Sequence, residues 1–83
     1  MFFFRVTGAA EGSLWGTDTY TLDSSLAVAA VHSGAVRPGQ TGVVKVTILG
    51  PQPAFQGTVQ SGVTSQDYGH YDGSYRVKRV RED

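Results

Sequence analysis

The stretch Trp15 to Gly34, WGTDTYTLDSSLAVAAVHSG, constrains the fold more than any other part of the chain. It runs from a polar, aromatic loop straight into LAVAAV, residues 26–31, where every side chain is apolar. A surface helix keeps a polar face, so a helix without one has to be enclosed. Its alanines let neighbouring backbone come close, and sheet or loop is expected around most of its circumference. Asp23 has the makings of an N-cap, its carboxylate accepting from first-turn N–H groups at the positive end of the helix dipole. Ser24 and Ser25 would then occupy the first turn. Gly34 is placed to end the helix in a left-handed conformation after about three turns.

Strands are expected on both sides of this helix. Phe2 to Thr7, FFFRVT, is aromatic and β-branched, and reads as a strand buried on both faces. Gly8 to Gly16 is a loop carrying the only tryptophan, and Thr17 to Leu22 an extended approach to the helix. Arg37 to Gly42, RPGQTG, is a turn. Val43 to Leu49 is the clearest strand, with Val44, Val46 and Ile48 on one face and Val43, Lys45, Thr47 and Leu49 on the other. Gly50, Pro51 and Pro53 stop it. Residues 54–73, with four glycines, suggest short strands and tight turns. Tyr75 to Arg81 closes the chain as a strand, Tyr75 and Val77 on one face, Arg76 and Lys78 on the other. The expected class is α+β: one small domain over residues 1–83, a central apolar helix packed against antiparallel or mixed strands.

A chain of 83 residues has one core at most, which buries about 60 to 65% of the unfolded surface. There is no cysteine to reinforce it. Seven basic and seven acidic side chains cancel, but the final RVKRVRED carries four of the seven basic groups. Any basic patch is therefore local, and nucleic acid is not an expected partner. No apolar run reaches the roughly 18 residues of a membrane span. The start, MFFFR, puts apolar residues before its first charge, the reverse of a signal peptide, so the chain is either cytosolic or follows a removed leader. A monomer is expected.

Candidate chemistry falls into four groups. Asp23, Ser24 or Ser25, and His32 offer the residue types of a nucleophile, base and orienter. Yet Ser25 and His32 on one helix stand about 10 Å apart along its axis, and capping plus a structural histidine is the better reading. His32 in the last turn can oppose the helix dipole when protonated, or donate to a loop carbonyl. Asp18, Asp23, Asp67 and Asp72 lack the converging spacing of a calcium loop, His32 and His70 lack zinc-site spacing, and no metal or cofactor is expected.

Aromatic side chains are the better lead, because sugar rings present apolar C–H faces that stack on them while neighbouring carboxylates bind hydroxyls. Trp15, Tyr68 and Tyr71, beside Asp18, His70 and Asp72, have that composition. Tyr20 and Tyr75 are expected in the core with their hydroxyls paired. The tail cations Arg76, Lys78, Arg79 and Arg81 are either a basic edge strand that contacts phosphate or charges that discourage edge-to-edge pairing.

Trp15-Gly16-Thr17-Asp18, Tyr20-Thr21, Asp23-Ser24-Ser25-Leu26, Ala29 to Gly34, Gly42-Val43-Val44, Gly57, Gly62 to Ser65, Tyr68-Gly69 and Gly73-Ser74-Tyr75 together resemble the LCCL domain family. They follow the family order over residues 13–77. The resemblance implies a central helix flanked by β-structure and a non-catalytic module, usually extracellular and part of a larger protein. It further implies roles in host defence and in binding lipopolysaccharide or other polysaccharides. Family members commonly tether the helix by disulfides, with one cysteine where Ala27 stands. Its absence points to a bacterial or engineered member and removes the usual mark of an oxidising compartment. The leading expectation is a binding module for a glycan or lipopolysaccharide; the alternative is a protein-interaction or spacer module with no small-molecule ligand.

Overall fold

A computed structural model describes residues 1–80; Arg81 lies outside the described residues. The chain forms β1 (Phe2–Thr7), β2 (Gly16–Thr17), β3 (Thr19–Thr21), α1 (Leu26–His32), β4 (Thr41–Leu49), β5 (Val59–Gln60), β6 (Val63–Thr64) and β7 (Ser74–Arg79). Five strands make one sheet in the order β1-β4-β7-β3-β2, and β5 and β6 make a separate hairpin. All ladders are antiparallel. With one helix on mostly antiparallel strands, the class is α+β.

The helix holds the centre. Val28, Ala29, Ala30, Val31 and His32 are all buried, five consecutive residues that cover the whole circumference. They pack with Leu14, Tyr20, Val44, Val46, Val63 and Tyr75. Full burial of Val28 and Val31 contributes about 1.5–3 kcal/mol each. Alanine at 29 and 30 admits the β-structure closely on both sides. The loop before β2 is stitched to the helix by backbone hydrogen bonds: Ala9 N–H donates to Ala27 O at 3.2 Å and Ser25 N–H to Ser13 O at 2.8 Å. The first of these joins the helix to the preceding loop at Ala27.

Several expectations need correction. The N-cap is Ser25, whose side chain accepts from Val28 N–H at 3.4 Å, and Asp23 is not the cap. A turn displaces the start: Ser24 N–H donates to Thr21 O at 2.9 Å and the two hydroxyls pair at 2.8 Å, which leaves Asp23 in the turn. The helix therefore has seven residues, about two turns. Gly34 is left-handed as expected, at φ 85°.

β1 is not buried on both faces. It is an edge strand, paired only with β4, and Phe2, Phe3 and Phe4 are 52%, 58% and 43% exposed. A two-turn helix is too short to cover its full length, and only Val6 and the adjoining Gly8 approach the core. The extended approach of residues 17–22 is in fact a tight β2–β3 hairpin, with Asp18 at φ 65°.

Two turns after α1 follow from local chemistry. Pro38 and a left-handed Gly39 make the turn that Gln40 N–H closes onto Arg37 O at 3.0 Å. Ser61 and Gly62, both at positive φ, make the two-residue turn of the β5–β6 hairpin.

Candidate ligand-binding site

Three aromatic rings from two distant segments form a row. Trp15 and Tyr68 lie edge to face with centroids 6.2 Å apart, and Tyr68 and Tyr71 likewise at 5.7 Å. Backbone bridges pin every member: Trp15 to Gln66, Tyr68 to Phe55, and Tyr71 to Gln52. Phe55 N–H donates to Tyr68 O at 2.7 Å and Tyr68 N–H to Phe55 O at 3.0 Å; Tyr71 and Gln52 exchange two bonds at 3.1 Å. The neighbours of Trp15 are held as tightly, with Gln66 N–H donating to Leu14 O at 2.9 Å and Gly16 N–H to Gln66 O at 3.1 Å.

Two glycines allow this convergence. At Gly16, φ is 103° and a Cβ would collide with Thr19 O. At Gly57 a Cβ would meet Ser65 O at 2.5 Å, where strand and loop cross closely. Asp67 Oδ1 accepts from the Gly57 N–H at 2.7 Å, so this carboxylate holds the loop beneath Tyr68.

Tyr68 is 45% exposed, and Trp15 and Tyr71 are half-buried. Tyr71 opens onto a shallow cleft of about 460 Å³ lined by Leu22, His70, Tyr71, Asp72 and Gly73. His70 Nε2 lies 3.7 Å from Asp72 Oδ1, both well exposed. Desolvation, then the charge of Asp23, then Tyr68, raise the Tyr71 phenol above its ordinary pKa. At neutral pH it stays a hydrogen-bond donor. Asp23, read from sequence as a cap, instead contributes to this upward shift.

The structure thus brings Trp15, Tyr68 and Tyr71 together and flanks them with His70 and Asp72. Asp18 lies elsewhere, at the β2–β3 tip in a cleft with Lys45, Arg76 and Lys78. The basic tail is divided as well. Strand alternation sends Arg76 and Lys78 to the sheet face away from the helix and Arg79, opposite buried Val44, to the other. Sequence reasoning missed Lys45, which joins Arg76 and Lys78 only through β4–β7 pairing.

His32 is structural. It is 1% exposed, its Nε2 donates to Thr58 O at 3.2 Å, and its Nδ1 accepts from the Tyr20 hydroxyl at 2.9 Å. Since a carbonyl only accepts, the neutral Nε2–H tautomer satisfies both contacts. Both ring nitrogens are engaged away from Ser25, whose hydroxyl caps the helix, so Asp23, Ser25 and His32 form no triad. Among the described residues no three His, Asp or Glu side chains converge, and no helix is long and apolar enough to cross a membrane.

Residues 5–75 match the family model of the LCCL domain, 71 positions that take in the helix, the aromatic row and most of the sheet. The chain belongs to the LCCL domain family. Curated relatives agree. This LCCL domain is 36% identical over 70 residues to Limulus clotting factor C of Carcinoscorpius rotundicauda, an alignment covering 84% of this chain and 7% of that protein. It is 35% identical over 69 residues to clotting factor C of Tachypleus tridentatus, covering 83% of this chain and 7% of the relative. The chain therefore spans about a fourteenth of these relatives' length.

Proposed function

We propose that this LCCL domain is a non-catalytic binding module that recognises a glycan, of lipopolysaccharide or other polysaccharide type, as part of a larger protein. The observation that carries this reading is the Trp15–Tyr68–Tyr71 row, three partly exposed rings held in place by backbone bridges. Such rings lose little conformational freedom when a sugar face settles on them, because the loops are already ordered. The Tyr71 hydroxyl, His70 and Asp72 supply donors and acceptors beside the apolar surface of Leu22, which is 47% exposed. That is the mixture a saccharide presents. Support for a non-catalytic role comes from His32, the histidine with the most confined geometry, having both nitrogens occupied in the core.

The test is a titration with lipopolysaccharide and with neutral polysaccharides, read by Trp15 emission, the single tryptophan of the chain. A saturable change that persists at high salt supports the reading, and no change with any saccharide counts against it.

One observation favours the second reading, a protein-interaction module. Phe2, Phe3 and Phe4 project from an edge strand with open pairing capacity, a surface suited to strand addition. Capture of a specific protein partner, lost in a Phe3→Lys variant and accompanied by no glycan binding, would favour it.

A further inference from the structure

Lys45 and Lys78 sit directly opposite each other across the β4–β7 ladder. Val44, Val46 and Tyr75 point into the core, so alternation sends Lys45, Arg76 and Lys78 to the opposite face of the sheet. Like charges facing each other across strands are destabilising. Two pairs further along, Arg76 opposes Thr47, and its Nε donates to Thr19 Oγ1 at 3.3 Å. Among the described residues no carboxylate comes within 4.0 Å of any of these three cations. On the neighbouring strand Phe3 opposes Lys45, and Arg5 follows two residues along on the same face. The cations line a cleft of about 460 Å³ with Thr47, Ser33 and Asp18.

We propose that this cleft is a second binding site, for a phosphate or sulfate monoester carried on a saccharide, with Lys45, Arg76 and Lys78 clamping the ester oxygens. An ester oxyanion presents several acceptor oxygens to two ammonium groups and one guanidinium, and these charge-assisted hydrogen bonds are the strong class. Its negative charge also relieves the Lys45–Lys78 repulsion, which no group within 4.0 Å of them among the described residues neutralises. The Thr47 and Ser33 hydroxyls and the Asp18 carboxylate are matched to the neutral hydroxyls of the attached sugar. Asp18 disfavours nucleic acid: a duplex carries a charge every ~1.7 Å, and its phosphate rows would run past this carboxylate. With a net charge of zero the chain offers no long-range pull on an extended polyanion. The site shares no residue with the aromatic row, so it can hold or fail whatever the fate of that reading.

The experiment is calorimetric titration of the chain with a sulfated heparin tetrasaccharide, a phosphomannosyl oligosaccharide, the unmodified counterpart of each, and a DNA duplex of matched charge. Each is run at low and high salt. The variants are Lys45→Thr with Lys78→Thr together, and, as a control at an exposed position outside both sites, Val59→Thr. Removing the facing lysines relieves repulsion, so the double variant is expected to melt no lower than the parent. The expected result is ester-dependent binding that weakens with salt, falls by about tenfold or more in the lysine variant, and is unchanged in Val59→Thr. The sulfate and phosphate arms identify the ester. Equal affinity for modified and unmodified saccharides, undiminished binding by the folded lysine variant, or tighter binding of the duplex would each overturn the proposal.

Discussion

The Tyr20 hydroxyl donates to His32 Nδ1 at 2.9 Å, and the two rings meet edge to face with centroids 5.6 Å apart. This pair joins β3 to the last turn of α1, and the other ring nitrogen continues the chain to Thr58 beside the β5–β6 hairpin. Three separate parts of the fold are thus connected through one buried histidine.

Tyr20→Phe keeps the ring and deletes the donor, leaving His32 Nδ1 as a buried acceptor without its partner. The expected loss is about 1–3 kcal/mol, measured by urea unfolding with an unchanged slope. A loss under about 0.5 kcal/mol would put this contact in the range of ordinary surface substitutions.

Alkaline pH should unfold the domain through the same residues. Desolvation pushes the Tyr20 phenol from 10.0 up to about 12, and burial also raises that of Tyr75, whose hydroxyl donates to Ser24 O at 2.9 Å. Below about pH 10 both states keep these protons and the contribution is whole. Above it the unfolded chain releases protons that the native state retains, so stability falls with rising pH, by about 1.4 kcal/mol per unit for Tyr20 alone. Tyr20→Phe should flatten this decline between about pH 10 and 12, as read by unfolding midpoints along a pH series.

Ser25 and Asp23 separate the observed cap from the expected one. Ser25→Ala removes the acceptor for Val28 N–H and should cost about 0.5–2 kcal/mol. Asp23→Ala should change stability by less than about 0.5 kcal/mol. Parallel urea melts of the two variants check the order, and a reversed order would return the cap to Asp23.

Much of the fold could be read from the sequence because its strongest signals are local. An apolar LAVAAV run, a proline-glycine turn and the alternation of residues 43–49 each determine their own conformation, and the helix, the Arg37–Gln40 turn and β4 lie where those signals put them. What was not readable depends on pairing across distance. The FFF run of β1 has the same composition whether its strand is central or at an edge, and only the sheet order decides that it is exposed. The cap expected at Asp23 falls instead at Ser25, because the Thr21–Ser24 turn delays the start of the helix. For the site, Trp15 and Tyr68 stood out by residue type, but their contact rests on the Trp15–Gln66 bridge between segments some fifty residues apart. Lys45 gave no signal at all, since its place beside Arg76 and Lys78 comes from β4–β7 register.

The most direct test of glycan recognition is a glycan and lipopolysaccharide array probed with the parent domain and with folded Trp15→Ala and Tyr71→Ala variants. The account predicts salt-resistant hits on the parent that weaken by about tenfold or more in both variants, as expected when an aromatic anchor is truncated. Hits that both variants retain at parental strength, or an array blank for the parent, would contradict it and leave the protein-interaction reading in the lead.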